Sequence, residues 1–208
     1  MGKYPTAYYQ ILTPSIPKKE KGNGPLDHRL LAIFTALYRI EAGAWFDQLL
    51  PWLQSVLHKD VIGAIPGREG AEVAWDAQAY LEYAMMMNQS GAISTYDFKK
   101  YFDSFDYQFT KKMLVHLGFP ANLAEATCHL YSNAAKTLKK GKSLSETFSG
   151  YNGIGQGDIL SLIPAMALVS WQFKVMDAMY PRVGKGAYFD DKLQRNSRRF
   201  DCIGQHPT

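Results

Sequence analysis

The sequence of 208 residues has few features of secreted, membrane-embedded or metal-cluster proteins. Its two cysteines, Cys128 and Cys202, are too few for a disulfide framework and have no partners at the spacing of metal ligands. The five histidines show no ligand spacing either. No apolar run approaches the roughly 20 residues that span a bilayer, and the amino-terminal residues lack the charged start and apolar core of a secretory signal. These absences favour an intracellular protein without membrane contact.

The net charge gives little information about partners. The formal charge is +4, but residues 192–208 hold four basic residues against one acidic residue, which leaves about +1 for the rest. The lysines form two local clusters, at positions 18, 19 and 21 and at positions 136, 139, 140 and 142. Such clusters suit a phosphate backbone and equally suit an ordinary solvated face.

The apolar pattern predicts a mixture of helices and strands. Hydrophobic residues make up 47% of the chain, enough for a real core. They recur at helical spacing between Leu30 and Leu50, a region punctuated by Pro51. Residues 13–25 are predicted as an extended segment entering a loop. Further helices are predicted over about 71–89, 106–117, 121–138 and from the turn at 152–157 to about 179, and strands over 93–98 and 143–151. This mixture without strict alternation predicts an α+β fold.

The first candidate site is the stretch Asp-Phe-Lys-Lys-Tyr-Phe-Asp over residues 97–103. A carboxylate at the end of a buried strand is well placed to hold a cation in a cleft above a sheet. The alternative is a plain junction between a strand and a helix, with Asp103 or Asp106 as the helix N-cap.

The second candidate is Gly-Ile-Gly-Gln-Gly-Asp-Ile-Leu-Ser over residues 153–161. Three glycines in five residues permit positive φ angles or a close approach of the backbone to a ligand. The amino terminus of a following helix would favour an anion. The alternative is a glycine turn in which Asp158 or Ser161 caps the helix.

The third candidate is Tyr-Phe-Asp-Asp over residues 188–191. At a hairpin tip, adjacent carboxylates would present one side chain to a cleft and keep the other close by. Magnesium suits this arrangement because it prefers hard oxygen ligands. On an ordinary surface the same pair means little.

In order, the three stretches read Asp-x4-Phe-Asp, Gly-x-x-Gln-Gly-x3-Ser and Tyr-x-Asp-Asp. This series resembles palm motifs A, B and C of reverse transcriptases, most closely those of non-LTR retrotransposons and group II introns. Upstream, Ile16-Pro17-Lys18-Lys19 and residues 28–33 and 38–40 resemble the fingers of the same family, although Leu30 stands where the family often has proline. The resemblance covers about residues 10–191.

The resemblance implies an RNA-directed DNA polymerase, which takes an RNA template, a DNA primer and deoxynucleoside triphosphates. Asp97 and Asp190 would bind two Mg²⁺ ions, or Mn²⁺ as a substitute, with Asp191 supporting them. One ion would lower the pKa of the primer 3′-hydroxyl and the other would stabilise the pyrophosphate leaving group. Phe102 would exclude a 2′-hydroxyl, unless it is simply a core residue. The remaining nucleotide contacts would come from Lys18, Lys19, Arg29, Gln156 and Gly157.

The resemblance also implies a domain plan. Residues 1–90 would form mainly helical fingers, and residues 91–191 a palm with an antiparallel sheet packed on helices. The family continues with an apolar return strand and a helical thumb, whereas residues 192–208 are polar and basic. We expect this tail to be disordered, because it is too polar to pair as a buried strand. The thumb would then be absent, and the polymerase incomplete and weakly processive or inactive.

Two other functions stay open at this point. An RNA-dependent RNA polymerase shares the palm and its carboxylates, although Phe102 argues against it. A catalytically inactive remnant would keep the fold, and with it the capacity to bind nucleic acid, without the chemistry. The sequence leaves the template, the priming mechanism and the oligomeric state undetermined.

Overall fold

A computed structural model of the chain describes residues 3–18, 24, 28–179, 185–190 and 198–205. Within these residues the helices are α1 (Ala36–Val56), α2 (Gly70–Met86), α3 (Tyr107–His116), α4 (Ala121–Ser132) and α5 (Leu162–Met179). The strands are β1 (Gln10–Pro17), β2 (His28–Leu30), β3 (Gly91–Asp97), β4 (Ala135–Lys140), β5 (Ser143–Phe148), β6 (Lys185–Asp190) and β7 (Arg198–Gln205). The predicted α+β class is confirmed. No helix in the described part of the chain is both long and apolar enough to cross a bilayer.

The chain divides into two compact units, each built from two segments. The first unit comprises Met1–Trp52 and Lys100–Ala165, and the second comprises Leu53–Lys99 and Met166–Thr208. Each unit contains its own β-sheet. The predicted boundary between fingers and palm at residue 90 is a different kind of division and stays a prediction.

The first unit is built on a four-stranded mixed sheet with the strand order β2-β1-β4-β5. Strand β1 runs parallel to β4 and antiparallel to β2, and β4 and β5 form an antiparallel hairpin. Helices α3 and α4 pack against each other, and an ion pair between Lys111 and Glu125 joins them. The core of this unit includes the fully buried side chains of Tyr38, Leu130 and Leu160.

The second unit contains a three-stranded antiparallel sheet with the strand order β3-β7-β6. Helix α2 packs against this sheet. Its buried residues Val73 and Ala84 share one face with the half-buried Ala77 and Tyr80, at the spacing expected of an amphipathic helix. A capping box between Glu69 and Glu72 fixes the start of the helix.

The carboxyl-terminal tail corrects one expectation. The tail was expected to be disordered and too polar to pair, yet residues 198–205 form β7, the central strand of this sheet. Backbone pairing on both sides satisfies the N–H and C=O groups of a central strand whatever its side chains are. The apolar residues Phe200 and Cys202 are two positions apart, which matches the two-residue repeat of a strand. Residues 192–197 and 206–208 lie outside the described residues.

Candidate functional site

The sheet of the second unit brings two of the predicted acidic residues to one edge. Strands β3 and β6 both run antiparallel to β7, so they run in the same direction and end at the same edge of the sheet. Asp97 is the last residue of β3 and Asp190 the last residue of β6. Their register partners on β7 are the consecutive residues Arg199 and Arg198. Since neighbouring strands lie about 4.8 Å apart, the backbones of Asp97 and Asp190 are on the order of 10 Å apart.

The predicted metal ligands lie only partly within the described residues. Asp97 is exposed at its strand end, and a carboxylate is the ligand type that Mg²⁺ prefers. For Asp190 the structure describes the backbone position only, and Asp191 lies outside the described residues. Within the described part of the chain, no group of three or more His, Cys, Asp or Glu residues is close enough to hold a metal. Asp97 and Asp190 share one edge of the sheet but lie in adjacent register rows, which alternate between its two faces, and the metal stays a prediction.

The first unit holds Phe102 against the glycine-rich turn. Phe102 begins a short 3-10 helix, Phe102–Ser104, and its side chain is only 7% exposed. The backbone N–H of Ile154 donates to the carbonyl oxygen of Phe102 at 2.8 Å, and the N–H of Gly153 donates to that of Phe105 at 2.8 Å. The end of the first motif and the start of the second are therefore joined through their backbones.

Glycine is required at Gly153 for two physical reasons. Its φ of +97° lies in the left-handed region that side chains disfavour. In addition, a Cβ atom there would lie 3.1 Å from Cα and 3.3 Å from the carbonyl oxygen of Asp103. Gly153 therefore has the positive φ angle that the sequence predicted, and the atoms close to it belong to Asp103 of the same chain.

The other side of the turn contacts the segment after β2. The backbone N–H of Ala32 donates to the carbonyl oxygen of Gln156 at 2.8 Å. Gly157 has a φ of +116°, and a Cβ atom there would lie 3.2 Å from the carbonyl oxygen of Ala32. A Cβ atom on Gly155 would lie 2.9 Å from Cε2 of Phe34. The glycine turn is thus held between residues 102–105 and residues 32–34.

A buried carboxylate follows the turn directly. Asp158 is 5% exposed, and its Oδ2 atom accepts hydrogen bonds from the hydroxyl of Tyr38 at 2.8 Å and from the hydroxyl of Tyr131. Burial raises the pKa of Asp158, although these hydrogen bonds oppose the shift. Burial and the charge of Asp158 raise the pKa of both tyrosines well above its ordinary value.

The structure shows which side chains cap the segments that follow the first two motifs. Asp158 Oδ1 accepts from the N–H of Leu160 at 3.3 Å, and the Ser161 hydroxyl donates to the Asp158 carbonyl at 2.6 Å. Asp106 is the N-cap of α3, because its side chain accepts from the N–H of Phe109 at 2.7 Å. Asp158 therefore organises the start of the segment that leads into α5. The sequence motifs do not predict its tyrosine partners, since these residues lie far from Asp158 in the chain.

The predicted basic contacts lie at one end of the first sheet. Arg29 is on β2 opposite Ile16, and the exposed Lys18 directly follows β1. Arg29 precedes Ala32, the residue bonded to Gln156, by three positions. Lys19 lies outside the described residues. The first unit therefore contains the predicted nucleotide contacts that are described, and the second unit contains Asp97 and Asp190.

Comparison with known proteins gives a result at the level of structure alone. No protein-family model matches the sequence, and no curated protein matches it. Apo telomerase from Candida tropicalis truncated from its C-terminal domain matches with a TM-score of 0.62 and 16% identity, over 99% of this chain and 45% of that chain. Apo telomerase from the same organism matches with a TM-score of 0.65 and 13% identity, over 99% and 41%. The chain shares the fold of these telomerase structures.

The same fold is present in a telomerase complex. Telomerase from Candida albicans in complex with a TWJ fragment of telomeric RNA matches with a TM-score of 0.59 and 12% identity, over 97% of this chain and 38% of that chain. The chain spans less than half the length of the solved structures it matches. At these identities the likeness establishes the fold, and the predicted palm-like α+β architecture is confirmed.

Proposed function

We propose that the chain is the fingers-and-palm part of an RNA-templated DNA polymerase of the non-LTR retrotransposon or group II intron type. The reaction would transfer deoxynucleotides to a primer. Three features support this: the order of the motifs, the polymerase fold, and the ends of β3 and β6. The order of the motifs carries the most weight, and Asp97 and Asp190 end two strands of one sheet at the same edge, in adjacent register rows.

Asp97 and Asp190, assisted by Asp191, would hold two Mg²⁺ ions. When bound, such ions lower the pKa of an attacking hydroxyl and neutralise charge on the leaving pyrophosphate. The exposure of Asp97 supports this role, since a ligand carboxylate must be reachable by a hydrated ion. The protein would contribute mainly positioning and charge.

The nucleotide would be contacted by residues of the first unit. The backbone bond from Ile154 to Phe102 fixes the segment that carries the aromatic ring, which a filter against 2′-hydroxyl groups requires. Gly157 is exposed and has no side chain, which supports a close approach of the nucleotide. Arg29, with Lys18 and Lys19, would bind the triphosphate, for which a guanidinium group is suited.

The proposed partners are an RNA template and a DNA primer. Telomerase structures matched by this chain were solved with a fragment of telomeric RNA, which supports a nucleic-acid partner for the shared fold.

Primer extension on an RNA template tests the proposal. With deoxynucleotides and Mg²⁺ or Mn²⁺, the chain should add short extensions, and Asp97→Asn should remove them. Asp76→Asn, an exposed aspartate on α2 of the same unit, is the matched control and should keep the activity. Extension that survives Asp97→Asn would overturn the assignment. Equal use of ribonucleotides would favour an RNA-dependent RNA polymerase.

A catalytically inactive nucleic-acid-binding remnant is the second candidate. The observation that favours it is the register of β7, which sets Arg199 opposite Asp97 and Arg198 opposite Asp190. Basic residues at these positions would compete with cations for the carboxylates. RNA binding without any extension in either metal would support this candidate.

A further inference from the structure

The β4–β5 hairpin concentrates positive charge on an exposed edge of the first unit. Residues 133–152 contain four lysines and one glutamate, a net charge of +3, while the whole chain has +4. Lys139, Lys140 and Lys142 are exposed around the hairpin turn. Strand β5 lies at the edge of the sheet, and all six of its residues are exposed. The hairpin is therefore open to a partner along its length.

Lys136 differs from the other lysines of the hairpin because it is half-buried. Burial lowers its pKa, although the charge of Asp103 acts in the opposite direction. Its Nζ atom lies 3.0 Å from the position that a Cβ atom on Gly150 would occupy. Lys136 forms no ion pair with the carboxylates of the described residues. An anion arriving at this ammonium group would compensate its partial desolvation.

Exposed aromatic side chains flank this lysine. Phe148 is the register partner of Lys136 on β5 and is 40% exposed. Tyr151, one residue after Gly150, is 98% exposed. Aromatic faces next to basic groups suit single-stranded nucleic acid, whose bases stack while its phosphates pair with lysines.

The hairpin leads directly to the glycine turn of the candidate site. Lys140 to Lys136 covers about 13 Å of strand, at 3.3 Å per residue. From Lys136 the surface continues to Gly150, and Gly153 then packs against Asp103. A strand lying along this path would pass from the hairpin tip to the segment that holds Phe102.

We propose that the β4–β5 hairpin together with Gly150 and Tyr151 binds single-stranded RNA. Lys136, Lys139, Lys140 and Lys142 contact its phosphates, and Tyr151 stacks on a base. This surface accommodates the template strand before it reaches the glycine turn, so the inference rests on the proposed function. It adds a binding surface outside the three motifs.

The test is fluorescence anisotropy with a labelled 12-nucleotide single-stranded RNA, in EDTA and at several KCl concentrations. Four phosphate contacts predict a slope of log K against log salt of roughly −3, at about −0.7 per contact. Each lysine-to-alanine change should reduce this slope by about 0.7. Tyr151→Ala should weaken binding about tenfold at an unchanged slope. Lys112→Ala, an exposed lysine on α3, is the matched control and should change neither quantity.

Two checks keep the result interpretable. Lys136→Met preserves the buried stem of the side chain without its charge and should give the same slope as Lys136→Ala. Thermal unfolding followed by circular dichroism should show wild-type midpoints for the exposed-residue variants.

Several outcomes would overturn the inference. One is wild-type binding by the hairpin variants, and another is an equal loss for Lys112→Ala, which would indicate diffuse charge rather than a site. A third is hairpin-dependent binding to anionic lipid vesicles without binding to RNA. Because this assay contains no divalent metal, its outcome is separate from primer extension. If the chain extends primers but its RNA binding does not depend on the hairpin residues, only this inference is wrong. If RNA binding follows the expected pattern but no primer is extended, only the proposed polymerase activity is wrong.

Discussion

At the scale of single residues, Asp158 forms hydrogen bonds with residues that lie outside the three motifs. The sequence indicated the glycine turn and its capping, because glycine and aspartate have local preferences that act within a few residues. The tyrosines that bond to Asp158 come from α1 and α4 and meet it only in the folded unit. A contact of this kind depends on tertiary packing, so no local sequence pattern predicts it.

Removing the Asp158 carboxylate should destabilise the first unit strongly. Asp158→Ala leaves two buried tyrosine hydroxyls without their acceptor and opens a cavity, so we expect a loss of about 2–4 kcal/mol in the free energy of unfolding. Tyr38→Phe removes one of the two donors and should cost about 1 kcal/mol. Urea unfolding measures both. A larger loss for Tyr38→Phe than for Asp158→Ala would contradict this account of the network.

The same carboxylate should make the stability of the first unit depend on pH. Because burial raises the pKa of Asp158, the folded state keeps this proton to higher pH than the unfolded state does. Its contribution to stability is therefore fully present below the ordinary value of 3.8 and is lost as the pH rises through the folded pKa. Asp158→Asn should flatten this part of the curve, as measured by urea unfolding between pH 4 and 7. Parallel curves for the variant and the wild type would argue against it.

At the scale of elements, segments with a clear period were predictable and segments shaped by pairing were not. The expected elements near α2, α3, β3 and α5 are confirmed, with ends shifted by a few residues. The expected helix over 121–138 was wrong after Ser132, because residues 135–140 pair with β1 and β5 as a strand. Pro51, which punctuates the helical pattern in the sequence, lies inside α1. Tertiary pairing overrode local preference in the strand, as it often does for short segments.

The register of β7 leads to a prediction about metal use. Opposite charges at directly paired strand positions attract, with energies that correspond to about fivefold at most in an equilibrium. The double change Arg198→Gln with Arg199→Gln should therefore lower the Mg²⁺ concentration for half-maximal nucleotide incorporation by up to about fivefold. A Mg²⁺ titration of primer extension measures it, with Lys59→Gln in the same unit as the control. An unchanged or higher Mg²⁺ requirement in the double variant would show that the arginines do not compete with the ions.

At the scale of the whole molecule, the fold is divided between two units that each interrupt the other in sequence. The candidate nucleotide contacts and the hairpin belong to the first unit, and the strand ends with Asp97 and Asp190 belong to the second. Sequence motifs indicated the candidate residues, and the fold is shared with structures at only 12–16% identity. They did not predict this division, since it depends on which segments pack together.

This division predicts separable losses when β7 is removed. A chain lacking residues 198–208 should lose Asp97-dependent extension, because β3 and β6 have no shared partner without β7. Its binding of single-stranded RNA should stay within about twofold of the full chain, since each lysine contact on the hairpin is retained. Primer extension and anisotropy on the same sample measure the two effects. Extension by the shortened chain would show that β7 is dispensable for the acidic edge.

The central place of β7 has a consequence for biosynthesis. During translation β3 emerges early and β6 much later, and neither pairs directly with the other in the finished sheet. The strand that joins them is the last of the three to leave the ribosome. The nascent chain can therefore complete the hairpin and the glycine turn first, and it assembles its acidic edge only after β7 has emerged.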